Sequence, residues 1–256
     1  MKKKTLYIIA FIAICSFCIV VGLHFLLLGP LSQQNKDLGM FGDFIGGTLN
    51  PTFALFSFLA LLYMIGLQKE ELETLKKEHV KQNFENTFFK LLDLFIKCRD
   101  DLITKEATLK SLYPEIRENT PSEPFGVFLR ILRNHLKSNY DEFNNKHENY
   151  TGVYFGQVYQ ILRFIDNSTI DDKQRYVNIF RALFSQNELE FLLYYCLGTI
   201  GKRNFKGLVE QYSFFEDVIL NVYIENKFSG YDRKACGNNE KLLQRYEEIR
   251  EKEKVK

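Results

Sequence analysis

Apolar and polar positions divide the chain into three regimes. From Thr5 to Leu28, TLYIIAFIAICSFCIVVGLHFLLL carries no Asp, Glu, Lys or Arg, and roughly 20 such residues in a helix cross a hydrocarbon core of about 30 Å. A second apolar run, Phe41 to Leu67, follows the short connection GPLSQQNKDLGM. Read as a helix, it gathers Asp43, Gly47, Asn50, Ala54 and Ser57 on one face, with Gly42-x-x-x-Gly46 as a one-turn pair of small residues. Ile45, Leu49, Phe56, Leu59 and Tyr63 lie opposite. Small side chains let another membrane helix approach closely, so Asp43, Gly46, Gly47, Asn50, Pro51, Ala54 and Ser57 are the expected packing positions. Pro51 removes a backbone hydrogen bond and frees the carbonyl of Gly47, which predicts a kink. A competing reading caps a new helix with Asn50 and starts it at Pro51. The continuous, kinked helix is preferred, because a start at Pro51 leaves a short span before Gln68.

From Gln68 the helical period continues with a charged surface, Glu73 with Lys77 and Glu78 with Lys81, which predicts a solvated stalk over 68–83. Apolar periodicity resumes at Phe84, Phe88, Leu91 and Phe95, a wide face that requires a partner. Pro114, Pro121 and Pro124 bracket a polar connector, and Phe125, Phe128, Leu129, Leu132 and Leu136 mark the next helix, closed by the polar run Asp141 to Asn149. Tyr150 to Ile165 follows, then a helix lined by Tyr176, Phe180, Leu183 and Phe184. Ser185-Gln-Asn-Glu188 is a capping-box signature opening the apolar helix LEFLLYYCL, which Gly198 ends. Ser213-Phe-Phe-Glu216 repeats the signature and predicts another helix, with Gly207 marking a break or close contact before it. Phe228 to Asn238 reads as loop, and the segment 238–256 as a peripheral charged helix with the stripe Leu242, Tyr246 and Ile249. No alternating strand pattern of convincing length occurs. The expected fold is all-α: a two-helix membrane hairpin over 1–67, with spans 5–28 and 41–67, a stalk over 68–83, and a helical domain over 84–237.

Charge orients the hairpin. Lys2, Lys3 and Lys4 precede the first span and Lys69, Lys76, Lys77 and Lys81 follow the second, whereas the connection holds Lys36 alone, which puts both termini in the cytoplasm. A net charge of +2 gives no bulk argument for nucleic acid as a partner. The five cysteines are scattered, as in a reducing compartment, and the C-x-x-C of Cys15 and Cys18 lies mid-span without a base to activate it.

Candidate chemistry is sparse. His24, His79, His135 and His147 lie far apart without metal-ligand spacing, and no glycine-rich phosphate loop stands between a strand and a helix, so no cofactor is expected. Asp43 reads either as an ion or proton site or as a helix cap. Asn50, deeper in the span, is suited to an interhelical hydrogen bond. The set Asn83, Glu85 and Asn86, interleaved with Phe88 and Phe89, reads as a partner-binding surface or as caps for neighbouring helices. Arg130-Ile-Leu-Arg-Asn-His135 resembles the Arg-x4-His motif of the all-α HEPN ribonucleases, with Ile131 where that family usually has a polar residue. The competing account is a solvated basic face of Arg130, Arg133 and Lys137.

Longer blocks carry a second resemblance. GDFIGGTLNP, ALLYMIGLQKEEL, QNFENTFFKLL, YFGQVYQILRFID, YVNIFRALFSQNELEFLLYYCL and KGLVEQYSFFED, spread from Gly42 to about Val218, resemble successive blocks of the phage abortive infection proteins, bacterial membrane proteins with two N-terminal spans and a cytosolic helical domain. The motif positions are Asp43, Gly46, Gly47, Asn50, Pro51, Asn83, Glu85, Asn86, Phe88, Phe89, Tyr154, Phe155, Tyr159, Arg181 and Glu188. In that family a His often precedes the Tyr-Phe block and an Arg follows it; here Val153 and Gly156 stand there. The resemblance implies an antiphage protein of the bacterial inner membrane that senses infection, directly or through a partner, and halts the host cell or the phage. It transfers no catalytic residue. A membrane-tethered ribonuclease using Arg130 and His135, or a scaffold for a separate toxin or sensor, are the alternative readings. Its expected partners are the lipid bilayer, a second copy of the chain, a co-encoded defence protein or a phage component.

Overall fold

In the computed structural model the described residues are 2–28, 35–112, 125–135 and 140–254. The first half of the hairpin connection, 29–34, the proline-bracketed connector, and residues 136–139 with the expected positions Leu136 and Lys137 lie outside them. All regular structure among the described residues is helical, and the chain divides into two compact units, Met1–Val80 and Lys81–Lys256.

The first unit contains α1 (Lys2–Leu28) and the first part of α2 (Asn35–Leu112). α2 begins six residues before the expected Phe41 and continues through Pro51; the absent N–H of Pro51 does not divide it. Besides Gly46, its covered positions are Ile45, Leu49, Thr52, Phe56, Ala60, Tyr63 and Leu67, spaced by three and four, with Leu49 only 4% exposed. In α1 a partly covered stripe runs through Ala13, Ser16 and Val20, and the Ser16 hydroxyl donates to the Ala13 carbonyl at 2.8 Å. Large apolar side chains elsewhere face outward, among them Phe11, Ile14 and Leu26 in α1 and Leu55, Phe58, Leu61 and Ile65 in α2. Such a surface is costly in water and neutral in hydrocarbon. Among the described residues one helical stretch, within Gly42–Lys105, is long and apolar enough to cross a membrane; Phe11–Leu23 of α1 is a shorter apolar stretch.

The second unit opens with the remainder of α2 and continues with α3 (Gly126–Arg130), which passes into a π-helical turn over Ile131–His135. α4 (Tyr140–Asp166) is one element bent at His147, whose φ of −129° and ψ of 15° leave the helical region. The polar run 141–149, expected to close the preceding helix, is therefore helical. Tyr140, Phe143, Asn144, His147 and Thr151 give it a buried face at spacings of three and four, with Glu142 and Lys146 paired outside at 3.0 Å.

α5 (Lys173–Arg181) starts at Asp172, whose carboxylate accepts the Arg175 amide. α6 (Gln186–Leu197) carries both bonds of the expected capping box, Ser185 with Glu188, and ends at Gly198. α7 (Thr199–Asn204) and α8 (Lys206–Gln211) meet at Phe205, so the expected break falls two residues before Gly207, which sits inside α8 with open space around it.

The second Ser-x-x-Glu signature does not open a helix. Ser213 is left-handed at φ 52°, and Glu216 bonds the Asn238 amide and Arg181 instead of returning to the Ser213 amide. Two short 3-10 turns, Glu225–Gly230 and Arg233–Cys236, precede α9 (Glu240–Lys254), which buries Leu242, Tyr246 and Ile249. The core is aromatic: Phe191 of α6 lies 5.3 to 5.9 Å, ring to ring, from Phe125, Phe128, Tyr140, Phe143 and Phe155.

Candidate functional site

The aromatic face of α2 is seated in this core. Phe84 stacks on Phe164 at 5.0 Å and meets Tyr176 edge-on at 4.8 Å. Phe88 meets Tyr176 at 5.3 Å, and Phe95 packs among Tyr154, Phe180 and Phe184 at 5.1 to 5.4 Å. Two polar latches flank the rings. The Tyr176 hydroxyl donates to Glu85 at 2.7 Å, and Arg99 donates to the Leu183 carbonyl at 2.8 Å. Asn86 and Phe89, one turn away, remain exposed, and the Asn83 carbonyl accepts the Thr87 hydroxyl.

Behind the rings lies a second layer of buried charge. Tyr154 donates to Glu188 at 2.9 Å, while the other Glu188 oxygen accepts the Ser185 amide at 2.8 Å, so one carboxylate both caps α6 and ties it to α4. Burial, and then the Glu188 carboxylate, push the Tyr154 phenol well above its usual range. Glu190 accepts from Arg133 on one oxygen and from Asn221 on the other, both at 2.8 Å, and the Arg133 guanidinium lies 4.2 Å from the centre of the Tyr223 ring. Arg181, 8% exposed, donates to the Ser213 carbonyl and pairs with Glu216 and Asp217 at 3.2 and 2.7 Å. Each of these groups is satisfied from an element distant in sequence, which is how buried charge is tolerated. Removing one partner strands the other, at about 3–5 kcal/mol.

The positions expected from sequence divide accordingly. Phe88, Tyr154 and Phe155 are core residues, and Tyr159 is half-buried beside Phe205 at 5.7 Å. Asp43, Gly47, Asn50, Pro51, Ala54 and Ser57 are exposed and Gly46 is half-covered; a Cβ at Gly46 or Gly47 would meet nothing within 4 Å. Arg130 is half-buried at the end of α3, His135 closes the π-turn with its side chain outside the described residues, and Arg133 between them is held by Glu190. Sequence reasoning passed over Glu190 and Arg133 as a pair, and Tyr176 and Arg99 as latches. Glu190 alone gave a signal, a carboxylate inside the apolar run LEFLLYYCL, which demands a buried partner. Among the described residues no three metal-ligating side chains converge. The geometry is that of helices cross-tied by charge.

One of these ties has a readable pH dependence. Burial, followed by the hydrogen bond to Glu85, raises the Tyr176 phenol from 10.0 to about 12. The folded phenol keeps its proton after the unfolded one has lost it, so this contribution is complete below pH 10 and is lost as pH rises from 10 to about 12. Tyr176→Phe is expected to unfold about 1 kcal/mol more easily at pH 8, and to show a shallower loss of stability than the parent above pH 10. Urea midpoints of the full chain in detergent across that range measure both.

Residues 146–222 match the model of the family described as "Putative phage abortive infection protein". No curated protein and no solved structure matches the chain. The matched stretch covers under a third of the chain and contains Tyr154, Arg181, Glu188 and Glu190, the centres of three of the charge clusters.

Proposed function

We propose that the chain is a membrane-anchored abortive-infection protein of the bacterial inner membrane, with two spans and both termini cytoplasmic, whose helical unit converts an infection signal into a change in the membrane helices. The observation that carries this reading is α2 itself, a single helix that includes both the apolar stretch and the Phe84–Phe95 face. The family match supplies the antiphage setting.

The trigger, a phage component or a co-encoded defence protein, loosens the aromatic seat of α2. The Asp43, Gly47, Asn50, Ala54 and Ser57 face of α2 then meets the same face of a second copy. That face is open within one chain, and a polar side chain facing hydrocarbon gains from a partner. The assembled helices let the bilayer leak.

Induced expression is expected to depolarise cells before growth stops. Asn50→Leu is expected to abolish the depolarisation while leaving chain abundance in the membrane unchanged, and His135→Ala to leave it intact. A potential-sensitive dye and immunoblotting read the three together. Intact potential with degraded RNA would overturn the membrane mechanism and favour cleavage through Arg130 and His135. Toxicity indifferent to both substitutions and dependent on a neighbouring gene would leave the chain as a scaffold.

A further inference from the structure

Within the first unit, α2 carries a seam that its own chain leaves open. Gln68, Leu72, Leu75 and His79 follow one another at spacings of four, three and four, and the same register reaches back through Ile65, Leu61 and Phe58. The stretch is helical throughout, so these residues form one stripe. Phe58, Leu61, Ile65, Leu72 and Leu75 are each between 52% and 57% exposed. The covered stripe from Ile45 to Leu67 lies on the opposite side of the helix. In the apolar stretch lipid suffices as a covering. Beyond Gln68 the helix is charged, and Leu72 and Leu75 stand uncovered among ions.

The charges beside the seam are sorted by sign. In heptads with Ile65, Leu72 and His79 at a and Leu61, Gln68 and Leu75 at d, the flanking e positions are Lys69 and Lys76 and the g positions are Glu71 and Glu78. The outward positions mix the signs, as Glu70, Glu73 and Lys77. Within one helix the sorting does nothing for Glu71: side chains meet at spacings of three and four, and those positions hold Leu67, Gln68, Thr74 and Leu75. Among the described residues neither Glu71 nor Lys76 has an ion-pair partner.

Two parallel helices use the pattern fully. The g residue of one faces the e residue of the next heptad in the other, which sets Glu71 against Lys76 on both sides of the seam. Antiparallel helices would face acidic g positions with acidic ones and basic e positions with basic ones, so the charges select the parallel pairing. Gln68 and His79 interrupt the apolar seam, and polar residues at such positions fix register at a cost in stability.

We infer that the helix from Ile65 to His79 is the interface with a second copy of this chain, a parallel coiled coil flanked by Glu71 and Lys76 of opposite copies. A short seam with two polar positions associates weakly from dilute solution, whereas two copies confined to one bilayer meet at a far higher effective concentration. The pairing therefore rests on the bilayer anchoring proposed above, and on none of the steps that follow the trigger. Gly47 and Ala54 occupy the same heptad position as Leu61, so a paired stalk holds the two membrane faces in register before any trigger arrives.

The test is disulfide crosslinking in membranes of expressing cells, each added cysteine being compared with the parent chain and its native thiols. Gln68→Cys and Leu75→Cys, one heptad apart on the seam, are each expected to give a band of twice the chain mass about tenfold faster than Lys77→Cys on the outer face. All three positions are exposed. Glu71→Lys and Lys76→Glu, each combined with Leu75→Cys, are expected to slow that reaction at least about fivefold, and the two reversals together to restore it. Glu70→Lys, a reversal on the outer face, is expected to leave the rate unchanged.

The proposal is overturned if Lys77→Cys reacts as fast as the seam positions, or if only one of Gln68→Cys and Leu75→Cys gives the doubled mass, as antiparallel helices would. Single reversals without effect, or a double reversal that restores nothing, overturn it as well. A crosslinked band of any other mass would put a different protein on the seam, with the same consequence. Fractionation before oxidation keeps the anchoring separate. A chain recovered in the membrane that fails to crosslink loses the pairing and retains the anchoring. A chain recovered in the soluble fraction loses the anchoring, and the same crosslinks then decide the pairing alone.

Discussion

Phe95→Ala is expected to unfold about 3–5 kcal/mol more easily than the parent chain, the usual cost of truncating an enclosed aromatic ring. Phe95 is fully buried, with Tyr154, Phe180 and Phe184 around its ring and the Arg99 guanidinium 5.9 Å from its centre. The cavity would open where α2 meets α4 and α5. A domain of this size is stable by about 5–15 kcal/mol, so roughly a fifth or more of that margin is at stake. Phe89, on the same helix but 50% exposed, gives the contrast: Phe89→Ala is expected to cost about 0.5 kcal/mol or less. Urea unfolding of the full chain, followed by tyrosine near-ultraviolet dichroism, measures both, and equal effects would mean that the aromatic face is not seated as described.

The second large effect comes from a residue with no side chain. A Cβ on Gly201 would press on the Tyr195 carbonyl, lie 2.6 Å from the Cys196 Cα and 2.7 Å from the Tyr195 carbonyl carbon, all of them backbone atoms of α6. No rotamer change relieves a backbone clash, so Gly201→Ala must pry α7 away from α6, at about 3 kcal/mol or more. Gly207→Ala reverses the sign. Its Cβ meets nothing within 4 Å and the position is helical, so reduced freedom of the unfolded chain is expected to raise stability by about 0.4–1 kcal/mol. Melting temperatures of the two variants, moving in opposite directions, check the pair.

Much of this architecture is legible one helix at a time. The spacing of Phe84, Phe88 and Phe95 announces a face that must be covered, Ser185 with Glu188 announces a helix start, and Leu242, Tyr246 and Ile249 announce a stripe. These are local facts, written within a few turns. The failures occur where a distant residue decides. Ser213 and Glu216 have the letters of a capping box, but Arg181 and Asn238 claim Glu216 from other elements. The run 141–149 looks like a loop until Tyr140, Phe143 and His147 are seen to share a face. The candidate site was legible to the same depth: Tyr154, Arg181 and Glu188 stand out as motif positions, while the Tyr154–Glu188 tie joins residues too far apart in sequence for periodicity to pair them.

The seating of Phe84, Phe88 and Phe95 also imposes an order on synthesis. These residues leave the ribosome soon after the apolar stretch of α2, whereas Tyr176, Phe180 and Phe184, which cover them, are made some 80 to 100 residues later. At roughly 5–20 residues per second the uncovered face waits for several seconds. During that interval the nascent chain presents a long apolar helix followed by a second sticky surface on one polypeptide. Its yield in a cell is therefore set by how quickly the α4–α5 segment arrives and by what shields the face until then, so that slowed translation between Leu112 and Lys173 would lower the amount of folded protein without altering a single native contact.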